Sequence, residues 1–145
     1  ECFIGGDFIV GFPGESEENF INSYNVIKNL PLSDMHIFRY SKRTGTDAAI
    51  MKNQVEENVK KQRAACLKQL AFSKKNAFLK ENLGTAQEFL GEKNYQKDKK
   101  FLKGITRNYI PLYINYDNEL ENKIVNVLLT KINKGIILGE VHGSE

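Results

Sequence analysis

The chain has 145 residues, a formal net charge of +3, a hydrophobic fraction of 41% and a charged fraction of 27%. These values are typical of a soluble globular protein, and the length allows one ordinary domain or two small units. No stretch approaches the roughly 18–20 apolar residues that span a bilayer, and no signal peptide is visible, so we expect no membrane partner.

Cysteine usage is sparse, because the chain contains only Cys2 and Cys66. Two cysteines exclude a disulfide framework and a metal site with CxxC spacing. We expect both to be free thiols in a reducing cytoplasm.

Positive charge is concentrated in the middle of the chain. Residues 42–80 hold ten basic and three acidic side chains, whereas residues 1–41 hold two basic and six acidic ones. Such a segment attracts polyanions, but it is also typical of a solvated helix face, and charge alone favours the second interpretation.

The first elements form a β–α–β pattern. An apolar run over residues 3–10 predicts a buried strand that enters a glycine-rich turn at residues 11–14. Ser16 is a good N-cap for a helix that Pro31 stops, and a second strand is predicted over residues 35–40. Units of this kind build parallel sheets and barrels.

A polar loop over residues 41–52 precedes a long helix. Residues 53–56 (NQVE) have the spacing of a capping box, and the helix is predicted to run to about residue 79. Its predicted apolar stripe contains Val55, Val59, Cys66, Leu67, Leu70, Ala77 and Phe78, with the basic residues on the other faces.

The last part of the chain has the alternation of short strands. We predict strands over residues 85–90, 95–102, 109–116, 124–132 and 135–141. Five short strands with glycine and asparagine turns indicate a small β-barrel or sandwich, with the domain boundary near residues 82–84.

Two segments at predicted strand ends have residue types suited to a ligand. Gly11 lets a ligand approach the backbone closely, although a plain glycine turn explains the pattern as well. Arg43 follows the second strand and could hold a carboxylate or phosphate with its planar fork. His36 could act as a general base, but a lone histidine that begins a strand is more often structural.

Three blocks in order carry a family resemblance: GGDFIVGFPGESEENF, then HIFRYSKRTGTDAA, then the helix start MKNQVEENVKKQR. They resemble the radical S-adenosylmethionine methylthiotransferases, and the second block is most similar to the members that act on threonylcarbamoyladenosine in tRNA. Members that act on isopentenyladenosine or on a ribosomal protein are the alternatives. The segments GITRNY, LENKI and LGEV are similar to the family's RNA-binding TRAM domain.

The resemblance implies an α/β plus all-β fold. Residues 1–82 would be the carboxy-terminal part of a radical S-adenosylmethionine partial (β/α) barrel with its long basic helix, and residues 83–145 a small five-stranded TRAM β-barrel. S-adenosylmethionine and [4Fe-4S] clusters are the implied cofactors of the complete enzyme. The cofactor-binding residues implied in this chain are Ile9, Gly11, Phe38, Tyr40 and Arg43.

The implied partner is the anticodon arm of tRNA, bound by a cytoplasmic monomer. The residues expected to bind RNA are Arg107, Asn108, Tyr109, Asn122 and Lys123. Tyr109 has an equally favoured alternative as a core residue, because it is predicted to begin an alternating strand. Asn122 could be only a turn residue.

The chain departs from the complete family pattern in one respect. The CxxxCxxC cluster motif and the amino-terminal domain with three further cysteines are absent, and two cysteines cannot replace six ligands. We therefore assign no catalytic residue and no metal ligand, and we expect an inactive fragment of a tRNA methylthiotransferase. The alternatives are a stand-alone RNA-binding module without catalysis and a bare structural remnant.

Overall fold

The computed structural model describes residues 2–92, 100–133 and 136–143. The chain divides into two compact units, one formed by residues 4–75 and the other by residues 76 onwards together with Cys2 and Phe3.

The unit of residues 4–75 contains a two-stranded parallel sheet. Its elements are β1 (Gly5–Val10), α1 (Glu17–Asn29), β2 (Asp34–Arg39), the short helix α2 (Asp47–Ile50) and most of α3 (Glu57–Glu81). β1 and β2 pair in parallel from Gly5 opposite Asp34 to Val10 opposite Arg39. The predicted β–α–β unit is therefore confirmed.

Local sequence explains where α1 begins and ends. The Ser16 hydroxyl accepts a hydrogen bond from the backbone N–H of Asn19 at 3.1 Å, and two glutamates occupy the positive first turn. The helix ends at Asn29, because Pro31 cannot continue it. The core of this unit consists of Val10, Phe20, Ile27, Met35, Ala64, Leu67 and Ala71.

The start of the long helix differs from the prediction. Residues 41–52 include α2, and α3 begins at Glu57 rather than at the predicted capping box. Asn53 has a left-handed φ of 61°, and its carbonyl accepts a hydrogen bond from the N–H of Gly14 at 2.9 Å. The capping-box prediction was wrong because Asn53 closes a turn onto the glycine loop instead.

The second unit is a closed five-stranded barrel. Its strands are β3 (Ala86–Gly91), β4 (Phe101–Thr106), β5 (Pro111–Asn115), β6 (Ile124–Asn133) and β7 (Ile136–Val141), and a 3-10 turn spans Asn118–Leu120. They close in the order β3-β4-β5-β7-β6. Neighbouring strands are antiparallel except β5 and β7, which pair in parallel. The predicted five-stranded barrel is confirmed.

Inward-facing positions fill the barrel with side chains. The most deeply buried are Phe89, Leu102, Ile110, Leu112, Ile114, Val127, Leu129 and Ile137. Phe78 and Leu79, from the end of α3, join the same core.

Two strand predictions in the barrel need correction. The strand predicted over 95–102 begins at Phe101 in the described part and continues to Thr106, while residues 93–99 lie outside the described residues. The strand predicted from Tyr109 begins at Pro111, because Tyr109 has a left-handed φ of 61° and belongs to the preceding turn.

Candidate functional site

The carboxyl ends of β1 and β2 place two predicted cofactor residues side by side. Ile9 pairs with Phe38 in the parallel register, and the side chains are 60% and 50% exposed. Val10 and Met35, in the same two strands, are buried on the opposite face of the sheet, as the period of two requires. Ile9 and Phe38 therefore form an exposed apolar patch on the sheet.

Gly11 and Tyr40 lie instead against a lysine of α3. The N–H of Tyr40 donates to the carbonyl of Val10 at 2.8 Å, and the Lys60 ammonium lies 5.5 Å from the centroid of the Tyr40 ring. Gly11 is buried with φ +74°, and a Cβ at this position would overlap the aliphatic part of Lys60. Packing against Lys60 is thus a sufficient reason for glycine here, separate from any approach of a ligand.

A buried ion pair ties α3 to the glycine-rich loop. Arg63 donates to the Glu15 carboxylate at 2.6 Å and to the Glu15 carbonyl at 3.0 Å, and its second nitrogen lies 3.1 Å from Glu17. The same Glu15 oxygen accepts the N–H of Gly11 at 2.7 Å. One buried guanidinium therefore fixes both the loop and the start of α1.

The prediction that the basic residues of the long helix occupy the faces away from its buried stripe is wrong for Lys60 and Arg63, because both are buried. A signal was present in the sequence. Lys60, Arg63, Ala64, Leu67 and Ala71 follow helical spacing, so the buried stripe begins with two cations rather than with Val55 and Val59.

Arg43 lies apart from these contacts. It is exposed in the loop after β2, and its carbonyl accepts hydrogen bonds from the hydroxyl and the N–H of Thr46 at 2.8 and 3.2 Å. Ile9 therefore lies beside Phe38, and Gly11 lies with Tyr40 against Lys60. The Arg43 side chain is exposed to solvent.

The turn between β4 and β5 holds three of the predicted RNA-binding residues. The amide of Asn108 donates to Asn82 at 2.9 Å, and its oxygen accepts the Thr106 hydroxyl at 2.7 Å, so Asn108 builds the turn. Arg107 is exposed and pairs with Glu88 at 3.1 Å. Tyr109 is 67% exposed, which excludes its alternative as a core residue; Ile110 fills the core instead.

Asn122 and Lys123 lie in the turn before β6. Asn122 has a left-handed φ of 56°, and its N–H donates to the carbonyl of Gly91 at 2.8 Å. The carbonyl of Lys123 accepts the N–H of Gly91 at 3.1 Å, and both side chains are exposed. Asn122 therefore has a structural role in this turn, as the alternative interpretation expected.

A groove on the outside of the barrel lies between the first of these turns and the start of β6. It encloses about 390 Å³ and is lined by Glu88, Leu90, Ile105, Thr106, Arg107, Tyr109 and Ile124. Arg107 and Tyr109 come from the first turn, and Ile124 directly follows Lys123. Two of the five predicted RNA-binding residues, Arg107 and Tyr109, therefore line this groove, and its apolar floor had no signal in the local sequence.

Metal-ligating groups are sparse in the part of the chain that the structure describes. No cluster of three or more His, Cys, Asp or Glu side chains is found there, and Cys2 and Cys66 are free thiols. These residues do not fit an iron–sulfur cluster, which takes four thiolates. Among the same described residues, no helix combines the length and apolar character needed to cross a bilayer.

Comparison with known proteins gives a consistent family. No family model matches the chain. A threonylcarbamoyladenosine tRNA methylthiotransferase of Bacillus subtilis is 37% identical over 130 residues, which are 88% of this chain and 29% of the relative. A protein of the same name from Aquifex aeolicus is 39% identical over 127 residues, or 87% of this chain and 29% of the relative.

A second group of relatives is named for a different modified adenosine. A tRNA-2-methylthio-N(6)-dimethylallyladenosine synthase of Bartonella henselae is 47% identical over 90 residues, which are 62% of this chain and 20% of the relative. The chain spans about a third or less of the length of these curated relatives. The closed barrel, the order of the three sequence blocks and these identities together show that the chain belongs to the tRNA methylthiotransferase family.

Proposed function

We propose that the chain is the carboxy-terminal segment of a tRNA methylthiotransferase, with an RNA-gripping barrel as its own contribution. The observation that carries this proposal is the groove that Arg107, Tyr109 and Ile124 line on a closed five-stranded barrel. The division into a partial radical S-adenosylmethionine barrel over 1–82 and a TRAM domain over 83–145 is part of the proposal. So are a cytoplasmic setting, a monomeric state and the anticodon arm as ligand.

The proposed substrate of the complete enzyme is threonylcarbamoyladenosine at position 37 of tRNA. Relatives with that name are 37–39% identical over 87–88% of the chain. Dimethylallyladenosine enzymes that cover 93–98% of the chain are 31–34% identical, although a shorter match reaches 47%. Over most of the chain, sequence identity is higher to the threonylcarbamoyladenosine enzymes, which supports threonylcarbamoyladenosine as the substrate. Isopentenyl (dimethylallyl) adenosine is the alternative.

The unit of residues 4–75 is proposed to border the S-adenosylmethionine site. The exposed pair Ile9 and Phe38 offers an apolar surface that fits an adenosyl group, and Arg43 offers a charge beside it in sequence. When bound, this cofactor supplies the radical chemistry, while the protein orients it and excludes water. Gly11 and Tyr40 contribute by holding the strand ends against Lys60. The cluster ligands do not come from this chain, so we propose that the chain alone is inactive.

The test of the proposed function is the binding of a tRNA anticodon arm at several salt concentrations. Replacing Arg107 and Lys123 by alanine should weaken binding and flatten the plot of log affinity against log salt by roughly one to two units, about one for each lost phosphate contact. The double variant Lys80→Ala/Lys131→Ala removes the same charge from other exposed positions and is the matched control. An unchanged slope in the first variant, with its fold confirmed, would place the RNA-binding face elsewhere.

The runner-up is a stand-alone RNA-binding module without catalysis. The observation that favours it is that all five strands of the closed barrel lie within residues 86–141. Sequencing the transcript upstream of the segment separates the two proposals. A CxxxCxxC motif in the same reading frame supports the enzyme, and a start codon immediately before the segment supports the module.

A further inference from the structure

Three apolar side chains form a row across the outside of the barrel. Leu90 of β3 lies opposite Ile124 of β6 on one side and opposite Ile105 of β4 on the other. Leu90 is 43% exposed and Ile124 is 67% exposed. Outward positions of a small barrel are normally polar, so a continuous apolar row that faces water indicates a binding surface.

Tyr109 bounds this row and has a backbone that tyrosine rarely adopts. Its φ of 61° is left-handed, a region that favours Gly and Asn. The N–H of Tyr109 donates to the carbonyl of Thr106 at 3.0 Å, which fixes the turn. Its ring packs 5.9 Å from Phe3, which in turn packs 5.8 Å from Phe78. A strained backbone that presents a supported and exposed aromatic ring is typical of a functional position.

Charged groups surround the apolar row. One carboxylate oxygen of Glu88 accepts a hydrogen bond from Arg107 at 3.1 Å, and both residues line the groove. Lys123 directly precedes Ile124 in the chain, so a second cation lies in the turn next to the Ile124 end of the row. The second carboxylate oxygen of Glu88 can accept a hydrogen bond from an amino group that enters the groove.

We propose that this groove binds one unpaired nucleobase with an exocyclic amino group: adenine, cytosine or guanine. The base lies on Leu90, Ile105 and Ile124 beside the Tyr109 ring, and its amino group donates to Glu88. Arg107 and Lys123 face the flanking phosphates. This inference rests on the proposed function, because it takes the ligand to be RNA, and it adds a site and a base preference to that function.

Size and charge favour a base over a protein segment as the occupant. The groove volume of about 390 Å³ is in the range of small-ligand sites. A stable protein interface buries about 800 Å² on each partner, far beyond a row of three side chains. Aromatic stacking with nearby cations is also the usual means of holding unpaired RNA.

The experiment measures the affinity of the full 145-residue chain for two labelled RNA heptamers, each with three abasic residues on both sides of a central adenine or a central unsubstituted purine, which lacks the amino group and any other N–H donor. At one fixed salt concentration, the adenine heptamer should bind roughly tenfold more tightly than the purine heptamer, as one hydrogen bond to a charged acceptor predicts. Glu88→Gln should reduce this difference to about threefold, because a neutral amide oxygen is a weaker acceptor than a carboxylate.

The apolar row is tested with a matched pair of variants. Ile124→Ser should weaken binding of both heptamers by roughly fivefold or more, following the loss of part of the stacking surface. Ile136→Ser changes an isoleucine of β7 that is 43% exposed and does not line the groove, and it should leave affinity unchanged. Circular dichroism confirms the fold of each variant.

Three results would overturn the proposal. The first is an unchanged preference for adenine over purine in Glu88→Gln, and the second is equal affinity of Ile124→Ser and Ile136→Ser. The third is loss of a self-associated species in Ile124→Ser without loss of RNA affinity, which would make the groove a protein interface. If the Arg107 and Lys123 variants still weaken binding in these cases, the proposed function stands and only the groove assignment fails. If the parent chain binds no RNA, both fail.

Discussion

Replacement of Arg63 by methionine should strongly destabilise the unit of residues 4–75. The Arg63 and Glu15 side chains are only 7% and 15% exposed, and they are joined by a contact of 2.6 Å. Removing one partner of a buried ion pair leaves the other charge uncompensated and costs about 3–5 kcal/mol. Glu15 keeps its hydrogen bond from the N–H of Gly11, so we expect the lower end of this range.

The magnitude is large for a unit of this size. At about 0.05–0.15 kcal/mol per residue, a unit of some 70 residues has a free energy of unfolding of roughly 4–11 kcal/mol. A loss of about 3 kcal/mol would therefore shift its urea midpoint visibly. Far-ultraviolet circular dichroism reports this transition, because α1 and α3 are the long helices among the described residues.

Two further variants make the measurement decisive. Arg39→Ala breaks a pair whose side chains are 49% and 65% exposed, so it should cost less than about 1 kcal/mol. Adding Glu15→Gln to Arg63→Met should restore part of the lost stability, because it removes the unpaired carboxylate. If Arg63→Met costs no more than Arg39→Ala, the buried ion pair does not stabilise the loop as argued.

Three more expectations follow from individual residues. Gly11→Val should destabilise the same unit by about 2 kcal/mol or more in urea unfolding, since the side chain would meet Lys60 at a left-handed φ; a stable variant that loses only cofactor affinity would contradict this. Tyr109→Asn should keep or raise the thermal midpoint of the barrel while weakening RNA binding roughly fivefold or more, because asparagine tolerates φ 61° but cannot stack; equal RNA affinity would refute it. Arg43→Lys should reduce tRNA modification by the complete enzyme more than Lys42→Arg does, because lysine lacks the planar fork; equal activities would return Arg43 to the solvated surface.

The fold was largely predictable because its hydrophobic pattern is local. The period of two in residues 111–115 and 124–133 indicated strands, and Ser16 and Pro31 bounded a helix. The predicted strand ended at residue 102, whereas β4 continues to Thr106, because Gly104 weakens the strand pattern. Glycine is needed at this position because a Cβ would overlap the carbonyl of Leu90 and the ring of Phe89, which are contacts between strands.

The candidate sites were predictable only in part. Positions with exposed charge, such as Arg107 and Lys123, could be identified from turn residues beside strands. Helical spacing places Lys60 and Arg63 in line with the buried stripe of α3, but it does not identify the partners that allow their burial. Those partners are distant in sequence, because Arg63 binds Glu15 and Lys60 lies against Tyr40. The apolar row of the groove likewise depends on the register of three strands, and its members are distant in sequence.

The order of the barrel strands also has a kinetic consequence. Closure requires Ala86 of β3 to pair with Leu128 of β6, and it requires β5 to pair with β7, although β6 separates these two strands in the sequence. Such distant pairings give a high contact order, and domains dominated by them fold in milliseconds to seconds rather than microseconds. Because β7 lies between β5 and β6 in the barrel, the barrel cannot close until β7 has been synthesised. During translation it should therefore acquire its native form only when β7 has left the ribosome.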